Sequence, residues 1–272
     1  MQKISFLFIF LLFLVPLSFA HGEQSNRLED LTHNLEGYSV TIIAISSFII
    51  VLCVFISIYF KKKTELLNMI LFLGIVLPAL FATAFIAGVT VFTNMVSESQ
   101  GPVHWHADFE IWKCDEKVDL LNPKGLLNRI GSPSFHEHND DRIHLEGTVV
   151  DLKSVDLHSF FQVIGGNLNS DYAAIPTNNG LIEMATDMKC NGNSAKLQVF
   201  VYSITNPSAS KKSGFTYTQK KIEDFEDFIM APYSNVPPGD CIIIELDGEK
   251  SSTDRICSSY KLAETQGRIT RI

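Results

Sequence analysis

The chain has 272 residues, with 22 Lys and Arg against 30 Asp and Glu, so its formal net charge is −8. That balance excludes nucleic acid as a partner, because phosphate binding needs clustered cations and no basic stripe is present. The densest basic run, Lys61-Lys62-Lys63, lies between two apolar segments, where it has a simpler meaning.

Residues 1–20 read as a secretory signal. Lys3 supplies the charged start, Phe6 to Val15 an apolar stretch of suitable length, and Ser18-Phe19-Ala20 a small-x-small cleavage pattern. Cleavage there would expose His21 as an N-terminal residue able to chelate copper, with His33 the only nearby second histidine. An incidental histidine is the plainer reading.

A short polar and acidic outer segment, 21–37, follows. Residues 38–60 are apolar and uncharged, long enough to cross a hydrocarbon core of ~30 Å as a helix. The loop 61–65 carries the three lysines. A second apolar segment, 66–93, contains Pro78, which predicts a kink. The lysines put the loop in the cytoplasm by the positive-inside rule, so both outer ends of the hairpin face away from it. Neither apolar segment carries an ionisable acid, base or histidine, which favours an anchor over an ion path. Residues 97–272 are therefore expected to form one extracytoplasmic domain.

That domain opens on Val103-His104-Trp105-His106-Ala107-Asp108-Phe109-Glu110-Ile111-Trp112. The odd positions are apolar and the even ones polar, the alternation of a half-buried strand. His104, His106 and Asp108 thus share the face opposite the apolar stripe. A turn at Asp115-Glu116 and a partner strand over 117–121 are expected next. A Gly- and Pro-containing loop then leads to Phe135-His136-Glu137-His138-Asn139-Asp140-Asp141-Arg142-Ile143-His144-Leu145-Glu146. A strand over 142–150 turns Ile143 and Leu145 one way and Arg142, His144 and Glu146 the other.

Ser154 is the expected N-cap of a helix through Val155, Leu157, Phe160, Phe161 and Ile164, stopping at Gly165-Gly166. Residues 167–194 read as loops, 196–202 as a buried strand, then a polar loop, a turn at Val236-Pro237-Pro238-Gly239-Asp240 and a strand over 241–246. The tail after Lys250 reads as polar, with a disordered end. This order gives an α+β domain with a mainly antiparallel sheet and one packed helix. It suggests a β-grasp-like arrangement, with the second histidine stretch inserted after the first hairpin.

Of five cysteines, Cys53 lies in an apolar segment. The other four, in the polar part, suggest two disulfides. Four cysteines allow three connectivities. The reading leans to Cys241 with Cys257, which a short hairpin could join, leaving Cys114 with Cys190; free thiols are the alternative. No C-x-x-C spacing offers a cysteine metal site.

Five of the eight histidines fall in the two stretches. Histidines at i and i+2 on a strand project side by side, and imidazole suits copper and zinc. The sequence therefore points to a transition-metal site of His104, His106, His136, His138 and His144. Asp108, Asp140 and Glu146 are extra ligands or hydrogen-bond acceptors for the rings. Copper or zinc is the cofactor expected of an exported protein. Whether the histidines form one site or two is left open. Glu137 and Glu146 are the available general bases if the metal is catalytic, but H-E-x-x-H, G-x-S-x-G and P-loop motifs are absent. Metal handling or sensing at the membrane is the first reading. A metal-dependent hydrolase or oxygenase is the second, and a metal-free interaction module the third. His158 is read as a helix-surface residue, and Trp112 as lining a pocket or covering the site.

The combination His104-Trp105-His106-Ala107, His136-x-His138-x-Asp140-x-x-Ile143-His144 and the Phe160-Phe161 helix resembles a family of uncharacterised prokaryotic domains, often membrane-anchored or secreted. The resemblance spans 103–166 and, loosely, 241–246. It implies a membrane-anchored or secreted setting and no particular reaction.

Overall fold

The computed structural model describes residues 24–126, 128–209, 214–230 and 239–272. The signal-like segment 1–20, His21 and the Val236-Pro237-Pro238 part of the expected turn lie outside the described residues.

Two long helices come first, α1 (Gln24–Tyr59) and α2 (Glu65–Val96), each long and apolar enough to cross a membrane. With 36 residues, α1 is about 54 Å long at 1.5 Å per residue. It exceeds an apolar core, so most of the polar segment before residue 38 is the first part of this helix rather than a separate element. Uncharged side chains and exposed apolar surface such as Phe48, Phe55, Phe72 and Phe81 suit lipid rather than water. Thr64 caps α2 by accepting from the Leu67 amide, and Pro78 sits inside it. The helices pack closely where Gly74 faces Cys53, since a Cβ on Gly74 would lie 2.7 Å from the Cys53 sulfur.

The remainder is α+β. Its strands are β1 (Pro102–Lys113), β2 (Glu116–Val118), β3 (Ile130–Gly131), β4 (Phe135–Glu137), β5 (Arg142–Thr148), β6 (Asn167–Leu168), β7 (Tyr172–Thr177), β8 (Gly180–Ala185), β9 (Lys189–Cys190), β10 (Asn193–Ser194), β11 (Lys196–Ile204), β12 (Phe215–Ile222), β13 (Asp240–Asp247) and β14 (Ile269–Arg271). Two short helices, α3 (Leu157–Val163) and α4 (Ser258–Thr265), interrupt them. The main sheet runs β14-β12-β11-β13-β1-β5-β4-β3, mostly antiparallel, with β1–β13 and β12–β14 parallel. In its centre, β5-β1-β13-β11 places two parallel strands between antiparallel neighbours with α3 on one face.

The second histidine stretch is not an insertion beside this sheet. β5 is the direct neighbour of β1 over Pro102–Asp108, and β2 takes the same edge further along at Ile111–Lys113. β2 is also shorter than expected, because Leu121 donates its amide to Pro176 instead of continuing the hairpin.

One face of the sheet buries Trp105, Phe109, Ile143, Leu145, Leu197 and Val199 against α3 and the β7–β8 hairpin. Phe160 and Phe161 are fully buried there. The other face carries a second core, in which Phe200, Tyr202, Tyr217 and Ile243 pack on Tyr260 and Ala263 of α4. β11 is consequently buried on both sides.

Several expectations about the chain are corrected. α3 is capped by Asp156, which accepts from the Ser159 amide. Ser154 belongs to a preceding 3-10 turn, Leu152–Val155, and donates its hydroxyl to the Asp151 carbonyl. The segment 167–194 holds the β7–β8 hairpin rather than only loops, and β12 occupies part of the polar stretch after β11. The tail is ordered: α4 and β14 fold back onto the sheet. Both disulfides, Cys114–Cys190 and Cys241–Cys257, are present as paired from the sequence, and Cys53 is free.

Candidate metal centre

The even-numbered face of β1 is divided between two uses. α4 covers it as far as Asp108, where the Ser259 hydroxyl donates to the Asp108 carboxylate. Beyond Asp108, toward the start of β1, α4 gives no such cover and the histidines begin.

Register brings them together. In the ladders His106 lies opposite His144, and His144 lies opposite His136. One straight row of three imidazoles therefore crosses β1, β5 and β4, on residues 30 and 38 positions apart in the chain. Directly paired residues on one face have Cβ atoms about 4.5–5.5 Å apart, and the ring centroids follow: 4.6 Å for His106–His144 and 5.5 Å for His136–His144. His104, two residues before His106, adds a ring at 4.5 Å on one side. His138, just past β4, adds another 4.9 Å from His144.

Tight backbone geometry places His138. Asn139 and Asp141 take left-handed φ values of 67° and 55°, which asparagine and aspartate tolerate. The Glu137 carboxylate closes the turn by accepting from the Asp140 amide at 2.6 Å. Glu137 is buried and held above its ordinary pKa chiefly by burial. One of its oxygens thus holds the turn, while the other, Oε2, is buried without a partner among the described residues.

The ring nitrogens carry the chemistry. His138 donates Nδ1–H to the Asn128 carbonyl at 2.6 Å, which leaves its Nε2 lone pair bare. That Nε2 lies 3.1 Å from Nε2 of His136. Two nitrogens bound to one ion at about 2.0–2.1 Å stand a little over 3 Å apart. The same spacing suits a hydrogen bond with the proton on His136 Nε2; an ion held at Nε2 would require that proton on Nδ1, which is buried without a partner among the described residues. Nε2 of His106 is buried and has no hydrogen-bond partner among the described residues. A buried lone pair or N–H left unpaired is costly, and a bound ion would satisfy it.

Two groups of three nitrogen donors result, His104-His106-His144 and His136-His138-His144, each with its ligand atoms within 4.8 Å of one another. Two carboxylates lie alongside. Glu146 Oε1 is 3.1 Å from His104 Nε2, and Asp140 Oδ2 is 3.3 Å from His144 Nε2.

Asp108, the remaining carboxylate expected in the ligand set, is not brought into either group. Its oxygens are held by Arg142 Nε at 2.5 Å and by Ser259. No local pattern points to Ser259, which lies 151 residues away, or to the Asn128 carbonyl, a backbone group that any residue type supplies. Trp112 does not cover the histidines either. Its indole donates to Glu110 and stacks under the Arg255 guanidinium, toward the far end of β1. His158, half-buried on α3, donates Nδ1–H to the Leu168 carbonyl of β6 at 2.7 Å and lies outside both histidine groups. His33 is exposed on α1.

Burial pulls the His106 pKa down from 6.5 to about 4, with the nearby His144, His104 and Arg142 adding to it and Asp140 opposing it. His136 and His144 are lowered too, again chiefly by burial. Neutral imidazoles are the metal-binding form. The shift also affects folding. The folded protein holds this proton less well than the unfolded chain, so stability is complete above about pH 6.5 and is lost as the pH falls toward 4. We expect the denaturant midpoint, followed by tryptophan fluorescence, to fall between pH 7 and pH 4.5, and to fall less in His106→Gln. The raised Glu137 acts in the opposite sense in both proteins and cancels in that comparison. Equal slopes would show that His106 is not held neutral by the fold.

A pocket of about 210 Å³ adjoins the histidine face, lined by Asp108, Asp140, Asp141, Arg142, Ser259 and Leu262 among others. It shares Asp140 with the histidine group. Comparison with family models, with curated proteins and with solved structures finds no match to this chain.

Proposed function

We propose that the chain is a membrane-anchored protein whose sheet domain lies outside the cell membrane and binds a copper or zinc ion, for metal handling or sensing. One observation carries this reading: five imidazoles on, or just past, three adjacent strands gather on one face, and His106 Nε2 is buried among them without a partner among the described residues. Packing has no use for such an arrangement, since the apolar side of the same strands already forms the core. His104, His106, His136, His138 and His144 are the nitrogen ligands, with Asp140 and Glu146 as carboxylate neighbours.

The outward placement is supported by two apolar helices joined by a loop with three lysines, and by two disulfides, which persist in oxidising compartments.

The test is elemental analysis of the full chain in detergent, beside a His104→Ala/His106→Ala/His138→Ala variant. About one equivalent of copper or zinc is expected in the wild type and background in the variant. Background in both, after attempted reconstitution, would leave a metal-free interaction module. A second reading, a metal-dependent enzyme, is favoured by the pocket that shares Asp140 with the site. It requires a small molecule that perturbs the spectrum of the bound ion.

A further inference from the structure

The five histidines do not form one ring of ligands. They form two triads with a common member, and the triads differ in exposure. In one, the His104 side chain is 61% exposed and its Glu146 partner 42%. In the other, His136 is 2% exposed and is flanked by the half-buried His138, whose ring is fixed by the Asn128 carbonyl. His144 stands between them, with its side chain 12% exposed.

His144 has one lone pair to give. A neutral imidazole carries one N–H and one bare nitrogen. Nε2 lies 3.3 Å from the Asp140 carboxylate, the partner that an N–H would choose. With the proton there, the other nitrogen serves one ion at a time. Two complete triads cannot then be filled together.

We propose that the face holds a single ion in two alternative positions that pivot on His144: an outer one on His104 and His106, and an inner one on His136 and His138. Resting on the metal-binding reading, this adds the direction of loading, from the triad that reaches solvent through His104 to the one that holds the buried His136. In the exchange the two bonds to His104 and His106 break and two to His136 and His138 form. The bond to His144 persists, one ring proton on His136 shifts from Nε2 to Nδ1, and no electron is transferred. The His138 ring, already oriented by the Asn128 carbonyl, favours the inner position, and His104 must leave Glu146 and lose side-chain freedom; the unpartnered His136 Nδ1 is the one term on the other side.

The experiment is a Cu(II) titration of the full chain in detergent, read by equilibrium dialysis and by electron paramagnetic resonance. The wild type is expected to bind one equivalent. His104→Ala should keep that equivalent and the wild-type spectrum, with slower loading from a weak copper chelate. His138→Ala should also keep one equivalent, now with a changed spectrum from the outer triad. The His104→Ala/His138→Ala double variant should lose tight binding. Two equivalents in the wild type would overturn the single shared ion. Complete loss of copper in His138→Ala, with His104→Ala unaffected in both spectrum and loading rate, would mean one fixed inner site. Loss in His104→Ala with His138→Ala unaffected would mean one fixed outer site. No copper in the wild type would instead overturn the metal-binding reading on which the proposal rests.

Discussion

Removing the Cys114–Cys190 disulfide, as Cys114→Ala/Cys190→Ala, is expected to destabilise the sheet domain by about 4 kcal/mol, from the loop-closure entropy that this crosslink withdraws from the unfolded chain. The bond closes a separation of 76 residues, against 16 for Cys241–Cys257, for which the same reasoning gives about 3 kcal/mol. It also ties the turn after β1 to β9, where Cys190 is buried against the main core. The measurement is denaturant unfolding followed by the fluorescence of Trp105 and Trp112, the only tryptophans, both on β1. An unchanged midpoint would show that the two segments are held without the bond.

The second large effect concerns the support beneath the histidines. Phe160 is fully buried, and its ring centroid lies 5.8 Å from that of Phe109 on β1 and 5.3 Å from that of Phe135 on β4. Those two strands carry His106 and His136 on their opposite side. Phe160→Ala would remove the ring that spans them and leave a cavity, at about 3–5 kcal/mol. Because Phe135 immediately precedes His136, the variant should also bind metal more weakly while still folding. Phe160→Leu, which refills much of the space, should recover most of both losses. A variant destabilised as expected but with undiminished metal affinity would show that the histidine row is rigid without this support.

The two disulfides and the histidine row differ in how far they could be read ahead. Pairing Cys241 with Cys257 needed only a short return of the chain, and Cys114 with Cys190 followed by elimination. The histidines were legible as chemistry, because the alternation of β1 and β5 assigns each side chain to a face without knowledge of its neighbours. Their convergence was not legible. Whether His144 meets His106, His136 or both depends on the register of three strands, and register is fixed by turns and core packing far from the histidines. Asp108 shows the opposite failure. By alternation it shares the histidine face, but Arg142 and the distant Ser259 take its oxygens.

Local periodicity and composition are enough for the two apolar helices, the polar and apolar faces of β1 and β5, the buried character of β11 and the placement of four cysteines in one domain. The other features depend on contacts between distant segments. β7 and β8 are strands although Ala173, Ala174 and Pro176 give β7 a weak pattern, because they cover the main core. β12 reads as polar but is paired on both edges, to β11 and β14. α4 and β14 are ordered because Cys257 and Tyr260 are buried against the second core. The parallel pairing of β1 with β13 joins residues more than 130 positions apart. In each case the deciding energy is burial against partners remote in sequence, which no local window contains.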